Sequence, residues 1–380
     1  MGDGTHCAAG RPERTATRIV FFVAGFGMAA WAPLVPFAQA RAAIGEGTLG
    51  LLLLCLGTGS VVTMSLSGAL VARFGCRRVV IASAVPLCIA LPVLASVSNP
   101  LQLAVGLLVL GASLGSIDVT MNIHAIIVER AGARPMMSGF HGLFSLGGIA
   151  GAACIIAALS AGASLLVATL WVVAVIIVAL AVAVPQLLAS GTAAGAPSFG
   201  IPHGVVLLIG AVCFVAFLAE GAVLDWSAVY LTSVTRMDAA YAGVGYAAFS
   251  LTMVCGRLMG DRVVGQIGGA GVIVFGGLCA AAGFSLAVLA PFWPAALLGF
   301  ALVGAGCANV VPVLYSSVGR QTVVPEHVAV STITMLGYAG ILAGPALIGF
   351  TAHAVSLPAA FLILVILQLG IAAAGRRLPT

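Results

Sequence analysis

Predominantly apolar runs with at most two charges each follow one another along this chain from residue 18 to residue 375, separated only by short loops. At about 1.5 Å per helical residue, roughly 20 such residues cross the roughly 30 Å hydrocarbon core of a bilayer. The runs fall at 18–40, 48–71, 79–97, 101–128, 137–160, 163–187, 203–231, 240–258, 270–290, 294–318, 327–352 and 357–375. Segments of about ten residues with alternating polarity, the mark of a membrane barrel, are absent. A backbone in lipid must then satisfy its own hydrogen bonds, which leaves helices. Composition agrees: the 380 residues are 62% hydrophobic and 7% charged, against about 25% charged in soluble domains. The expectation is an all-α, multi-pass membrane protein with 12 transmembrane helices.

The first run contains Ala38-Gln39-Ala40, which looks like a leader-cleavage site. Its apolar length exceeds that of a leader, so it reads as helix 1. All fifteen basic residues are arginine. Arg11, Arg14, Arg18, Arg73, Arg77, Arg78, Arg130, Arg134, Arg257, Arg262, Arg320, Arg376 and Arg377 fall on one side of this topology, and Arg41 and Arg236 on the other. Positive residues stay inside, so both termini are expected in the cytoplasm and the membrane is the inner, plasma membrane. The net charge of +5 is thereby a topology signal and not a nucleic-acid footprint. Nine scattered cysteines form no CxxC or Cys/His cluster; they read as small apolar thiols with no metal site and no cofactor.

Residues 188–202, "LASGTAAGAPSFGIP", are uncharged and rich in Gly, Ala, Ser and Pro. They read as a cytoplasmic linker between an N-terminal six-helix bundle, 1–187, and a C-terminal one, 203–380. An internal repeat supports the division. "SGFHGLFSLGGIAG" from Ser138 aligns without gaps on "STITMLGYAGILAG" from Ser331, pairing Gly147 with Gly340, Gly151 with Gly344 and His141 with Thr334. A second match pairs Gly111 and Ala112 with Gly304 and Ala305.

After helix 2 comes "GALVARFGCRR", and after helix 8 "GRLMGDRVVGQ". Here the chain resembles the major facilitator superfamily, whose signature in the first loop is Gly-x-Leu-x-Asp-Arg-x-Gly-x-Arg. Gly68, Leu70, Arg73, Gly75 and Arg77 match, but the acidic position is Ala72; Asp261 and Arg262 restore an acid–base pair in the second half. "IDVTMNIHAIIVER", "MMSGFHGLFSLGG" and "FLAEGAVLDWSAVYL" are similar to a bacterial branch akin to fucose-permease-type and rhizopine-associated transporters. The resemblance implies two pseudo-symmetric bundles around a central cavity, alternating access, and a cytoplasmic gate at these motif residues that stabilises the outward-facing state. Ala72 puts the first-half latch in doubt, and Arg77 and Arg78 also suit lipid phosphates.

Of the ten acids, Asp118, Glu220 and Asp225 lie within predicted helices. A charge near the bilayer centre costs about 2.5–3.5 kcal/mol on insertion scales, which marks it as functional unless a partner neutralises it. These three, with His141, are the proton-coupling candidates. Asp118 and Asn122 share a helical face while His124 points elsewhere; Asp118 is open to a packing role as well as a coupling one, and His124 reads as a packing residue. Glu220 lies about three to four turns from the outer end of helix 7 and Asp225 about two, which favours Glu220 as the proton site and Asp225 with Trp226 as an outer gate or solute contact. Trp31, Gln39, Asn122, Asn309, Tyr315 and Tyr338 complete the cavity candidates, a set suited to a neutral polar or zwitterionic solute. Pro33, Pro36, Pro312 and Gly344 with Pro345 are expected kinks.

The reading is a monomeric secondary transporter of a small organic solute, coupled to protons. Uptake by symport and efflux of a drug or metabolite by antiport both fit. No Walker motif is present. A non-transporting sensor would need a signalling segment, and an intramembrane enzyme would need an oriented nucleophile.

Overall fold

The computed structural model describes residues 10–132, 134–188, 203–238, 241–290 and 292–378. Apart from Leu188, the expected linker lies outside the described residues. The described chain is helical, without a strand. Its spans are α1 (Arg11–Arg41), α2 (Glu46–Phe74), α3 (Cys76–Leu94), α4 (Pro100–Gly132), α5 (Met137–Ser160), α6 (Leu165–Ala183), α7 (Val205–Ser233), α8 (244–267), α9 (269–289), α10 (Trp293–Val318), α11 (Glu326–Ala354) and α12 (Leu357–Gly375).

Hydrogen bonding alone would join α8 and α9 into one 46-residue helix. Such a rod would be about 69 Å long, more than twice the hydrocarbon thickness. Gly268 breaks it with φ 72° and ψ 166°, a conformation open to glycine. The eleven long apolar helices of the described chain therefore supply twelve spans.

Some helix ends run past the expected bounds, while α3 and α6 stop short of them. α1 starts at Arg11 instead of residue 18, and α8 runs to 267 instead of 258. A hydropathy run ends where charges gather, whereas a helix continues wherever a charge finds a partner or water. This moves Asp261 and Arg262 from the expected loop into α8, and takes Arg257 from the last turn of the expected helix to well inside it.

The described residues fall into two compact units: α1–α4, residues 143–160 of α5 and α6 in the first, residues 137–142 of α5 and α7–α12 in the second. Each packs by the same close approaches. In the first unit, a Cβ on Gly147 or Gly151 of α5 would collide with the carbonyl of Phe22 or Phe26 in α1, and one on Gly111 of α4 with that of Leu56 in α2. In the second, Gly340 of α11 meets the carbonyl of Phe214 in α7, and Gly304 of α10 meets that of Phe249 in α8. Of the glycines matched in the sequence repeat, all but Gly344 let helix backbones touch, the small-residue packing that replaces the hydrophobic effect in lipid.

Two buried clusters fix the units internally. In the second, Tyr230 stacks on Phe361 at 4.8 Å, Phe300 and Phe284 meet Phe361 edge-on, and the Tyr230 hydroxyl donates to the Ala287 carbonyl at 2.7 Å. In the first, Leu188 N–H donates to His124 Nε2 at 3.1 Å. The ring proton then sits on Nδ1 and is donated to Thr17 Oγ1 at 3.0 Å, whose own hydroxyl donates to the Glu13 carbonyl at 2.8 Å. Arg41 closes the end of α3, with Nε on the Val97 carbonyl and Nη2 on that of Leu94, both at 2.7 Å; a cation at a helix C-terminus is favourable.

Candidate functional site

The second unit holds a buried ion pair. Arg257 Nη2 of α8 donates to Glu220 Oε1 of α7 at 3.2 Å, with the two side chains 9% and 15% exposed. Arg257 Nε also donates to the Ala308 carbonyl of α10 at 3.2 Å. That carbonyl is available for a reason visible in the sequence. Pro312, four residues on, has no N–H to return to it, and α10 interrupts its helical course at Ala308 and Asn309, between Trp293–Cys307 and Val310–Val318. The guanidinium thus satisfies the backbone that the proline leaves open, and ties three helices together.

Asn309, at the interruption, donates Nδ2 to the Gly256 carbonyl at 2.9 Å. A Cβ at Gly260 would overlap Asn309 Oδ1 and the Ser138 side chain. Gly256 and Gly260, four apart on one face of α8, therefore seat the amide. Asn309 Oδ1 accepts no protein hydrogen bond, which leaves a buried acceptor beside the ion pair.

A second polar group adjoins the first. The rings of His141 and Tyr315 lie 5.5 Å apart at 30°, and the Tyr315 hydroxyl shares a 2.7 Å hydrogen bond with Thr334 Oγ1. His141 and Thr334, matched in the repeat, thus flank the same tyrosine from α5 and α11. The Arg257 charge reaches His141 electrostatically. Tyr338, one turn beyond Thr334 on α11, is half-buried. Asp261, one turn beyond Arg257, accepts from the Gly139 N–H with Oδ1 at 3.1 Å; a carboxylate at the start of α5 meets the amides and positive end of that helix. Arg262 is exposed.

The remaining sequence candidates lie apart from this group. Asp225 is exposed, and Trp226 packs against the apolar cluster of the second unit, its ring over Gly349. In the first unit, Asn122 Nδ2 donates to the Asp118 carbonyl at 2.9 Å and to its carboxylate Oδ1 at 3.4 Å, so the shared face expected from spacing does join them. Trp31 is buried where α1 breaks into a 3₁₀ turn at Ala32–Leu34, with Pro33 inside it, and Gln39 is half-buried beyond. Gly68 is buried late in α2; Gly75, with φ 80°, makes the turn into α3 between Arg73 and Arg77. Among the described residues, no three His, Cys, Asp or Glu side chains gather to hold a metal.

Arg257 is the residue of this group that sequence reasoning missed, by reading it as a cytoplasmic charge at the end of helix 8. One signal was available: a carboxylate as deep as Glu220 calls for a counter-charge, and Arg257 is the arginine nearest the middle of a neighbouring apolar run.

The sequence matches the Major Facilitator Superfamily over residues 19–327. The chain belongs to this superfamily. It is 50% identical over 368 residues to an uncharacterized MFS-type transporter of Yersinia pestis, covering 97% of this chain and 96% of that one. It is 32% identical over 376 residues to the membrane protein MosC of Rhizobium meliloti, covering 98% and 92%. Its fold matches the MFS transporter FucP in an outward conformation with a TM-score of 0.81, at 16% identity, over 97% of this chain and 99% of that one. The proton:xylose symporter XylE matches with a TM-score of 0.73 at 12% identity, over 97% and 95%. At those identities the solved structures establish the fold; superfamily membership makes the chain a membrane transporter of small solutes.

Proposed function

We propose that this transporter moves a small, neutral polar organic solute across the bacterial inner membrane by alternating access, coupled to protons, with Glu220 as the principal proton site. Its two halves, 1–187 and 203–380, act as the moving bodies of a monomer, joined by a cytoplasmic linker at 188–202, with both termini in the cytoplasm. The observation that carries this reading is the Glu220–Arg257 pair, a buried carboxylate whose cationic partner also holds the interrupted backbone of α10. Protonation of Glu220 removes the charge that Arg257 answers. The guanidinium keeps its bond to the Ala308 carbonyl but loses the charge it faces on α7, so protonation state and the geometry of α7, α8 and α10 are linked. A solute that spans Asn309 Oδ1, Tyr315 and Tyr338 meets an acceptor, a hydroxyl and aromatic faces, and the paired charges leave the site without net charge, which favours a neutral ligand. FucP of E. coli, a fucose:proton symporter, and XylE share the fold and couple sugar to proton. Asp118, hydrogen-bonded to Asn122, is the second proton site in the other half.

The test is reconstitution into liposomes with an internal pH dye and a panel of sugars, polyols, amino acids and cations. Uptake of one neutral solute should acidify or alkalinise the lumen in step with transport. Glu220→Gln should keep solute counterflow and lose gradient-driven accumulation, and Asp118→Asn should show the same defect more weakly. Equal rates with and without a proton gradient, and no accompanying proton movement, would refute the coupling.

A further inference from the structure

We propose that the turn between α2 and α3 is a binding site for a net-anionic phosphate group, with a phospholipid headgroup as the ligand its rim favours. Arg73, Arg77 and Arg78 line one recess of about 470 Å³, together with Ala72 and Gly75. Among the described residues none of the three arginines forms an ion pair; the one contact recorded for them is Arg73 lying 5.2 Å over the ring of Phe74. Three guanidinium groups confined to one recess repel each other unless an anion answers them, and the fork of the guanidinium matches phosphate oxygens. α3 begins at Cys76 within the same turn, and its N-cap, Gly75, brings no capping side chain. The positive dipole end of a 19-residue helix thus adds to the same charge.

One substitution sets the sign of this site. The superfamily signature places an acid where this chain has Ala72. A carboxylate there would stand within the recess and neutralise one arginine from inside; alanine leaves the charge to an external anion. The second-half motif supplies the contrast, since Asp261 is engaged with the Gly139 amide. The rim decides between two sources of phosphate. Phe74 and Ile81 border the recess and are each 41% exposed, and Leu70 one turn earlier on α2 is 40% exposed. Apolar side chains on the lipid-facing ends of two helices suit the glycerol and acyl portions of a phospholipid, and offer nothing to a free ion.

The experiment uses the full-length, delipidated protein in detergent. It is titrated with short-chain phosphatidylglycerol, short-chain phosphatidylcholine and inorganic phosphate, and binding is read as a saturable rise in melting temperature. Phosphatidylglycerol should stabilise at lower concentration than phosphatidylcholine, with an effect that weakens as salt is raised. Ala72→Asp, which installs the residue the signature carries, should shift the phosphatidylglycerol midpoint about fivefold, and Arg77→Gln with Arg78→Gln about 25-fold, as expected for loss of basic residues at an anionic surface. Inorganic phosphate without effect assigns the site to a lipid; inorganic phosphate that stabilises and competes with phosphatidylglycerol assigns it to a soluble phosphate. Midpoints that coincide for the wild type and both variants, or for the two lipids, would overturn the proposal.

Discussion

Replacing the buried ion pair with the residues that the repeat places in the other half gives a direct test of how the second unit is built. The glycine contacts set the correspondence: Phe22 and Phe214 answer Gly147 and Gly340, and Leu56 and Phe249 answer Gly111 and Gly304. Carried along the helices, Glu220 corresponds to Met28 and Arg257 to Met64. The fold therefore carries two methionines at these positions in one unit, Met64 buried and Met28 47% exposed, and an ion pair in the other. At 3.2 Å and an effective dielectric constant of about 20, the charges attract by about 5 kcal/mol. Arg257→Met alone removes that attraction, leaves Glu220 buried without its cation and leaves the Ala308 carbonyl without its donor. The expected loss is about 3–5 kcal/mol, a fall in melting temperature on the order of 10 °C. Glu220→Met with Arg257→Met removes both charges together and should melt within a few degrees of the wild type, because a well-packed apolar replacement of a buried pair is about neutral. Scanning fluorimetry in one detergent reads the stabilities, and liposome accumulation should be absent in both variants. A single Arg257→Met variant that melts with the wild type, beside a double variant that melts below it, would refute the argument.

Other outcomes follow from particular contacts. Gly260→Ala should cost about 1–3 kcal/mol by overpacking, since its methyl group overlaps Asn309 Oδ1 and the Ser138 side chain; transport should fall with it, and an unchanged melting temperature would show that the Asn309 amide has room to move. His124→Ala should lower the melting temperature by leaving the Leu188 N–H unpaired, about 1–3 kcal/mol for a buried donor, while coupling measured in the surviving protein stays at the wild-type ratio of protons to solute. A changed ratio would move His124 from packing into the transport machinery.

Twelve spans and the internal repeat were legible in the sequence because they rest on local quantities: the length of apolar runs and the spacing of small residues. The same holds for the Asp118–Asn122 contact, which four-residue spacing on one helix dictates. The broken course of α10 was announced by Pro312, and that of α1 by Pro33. What the sequence could not decide is where a helix ends once a charge appears, because that depends on whether another helix answers the charge. Arg257 shows this: as a residue in a string it closes an apolar run and reads as a cytoplasmic charge, and it becomes a buried guanidinium because Glu220 of α7 and the proline-freed carbonyl of Ala308 converge on it across more than 35 residues of chain in each direction. Local chemistry determined which segments enter the membrane; only packing between helices decided which of their charges are neutralised there and which remain at the surface.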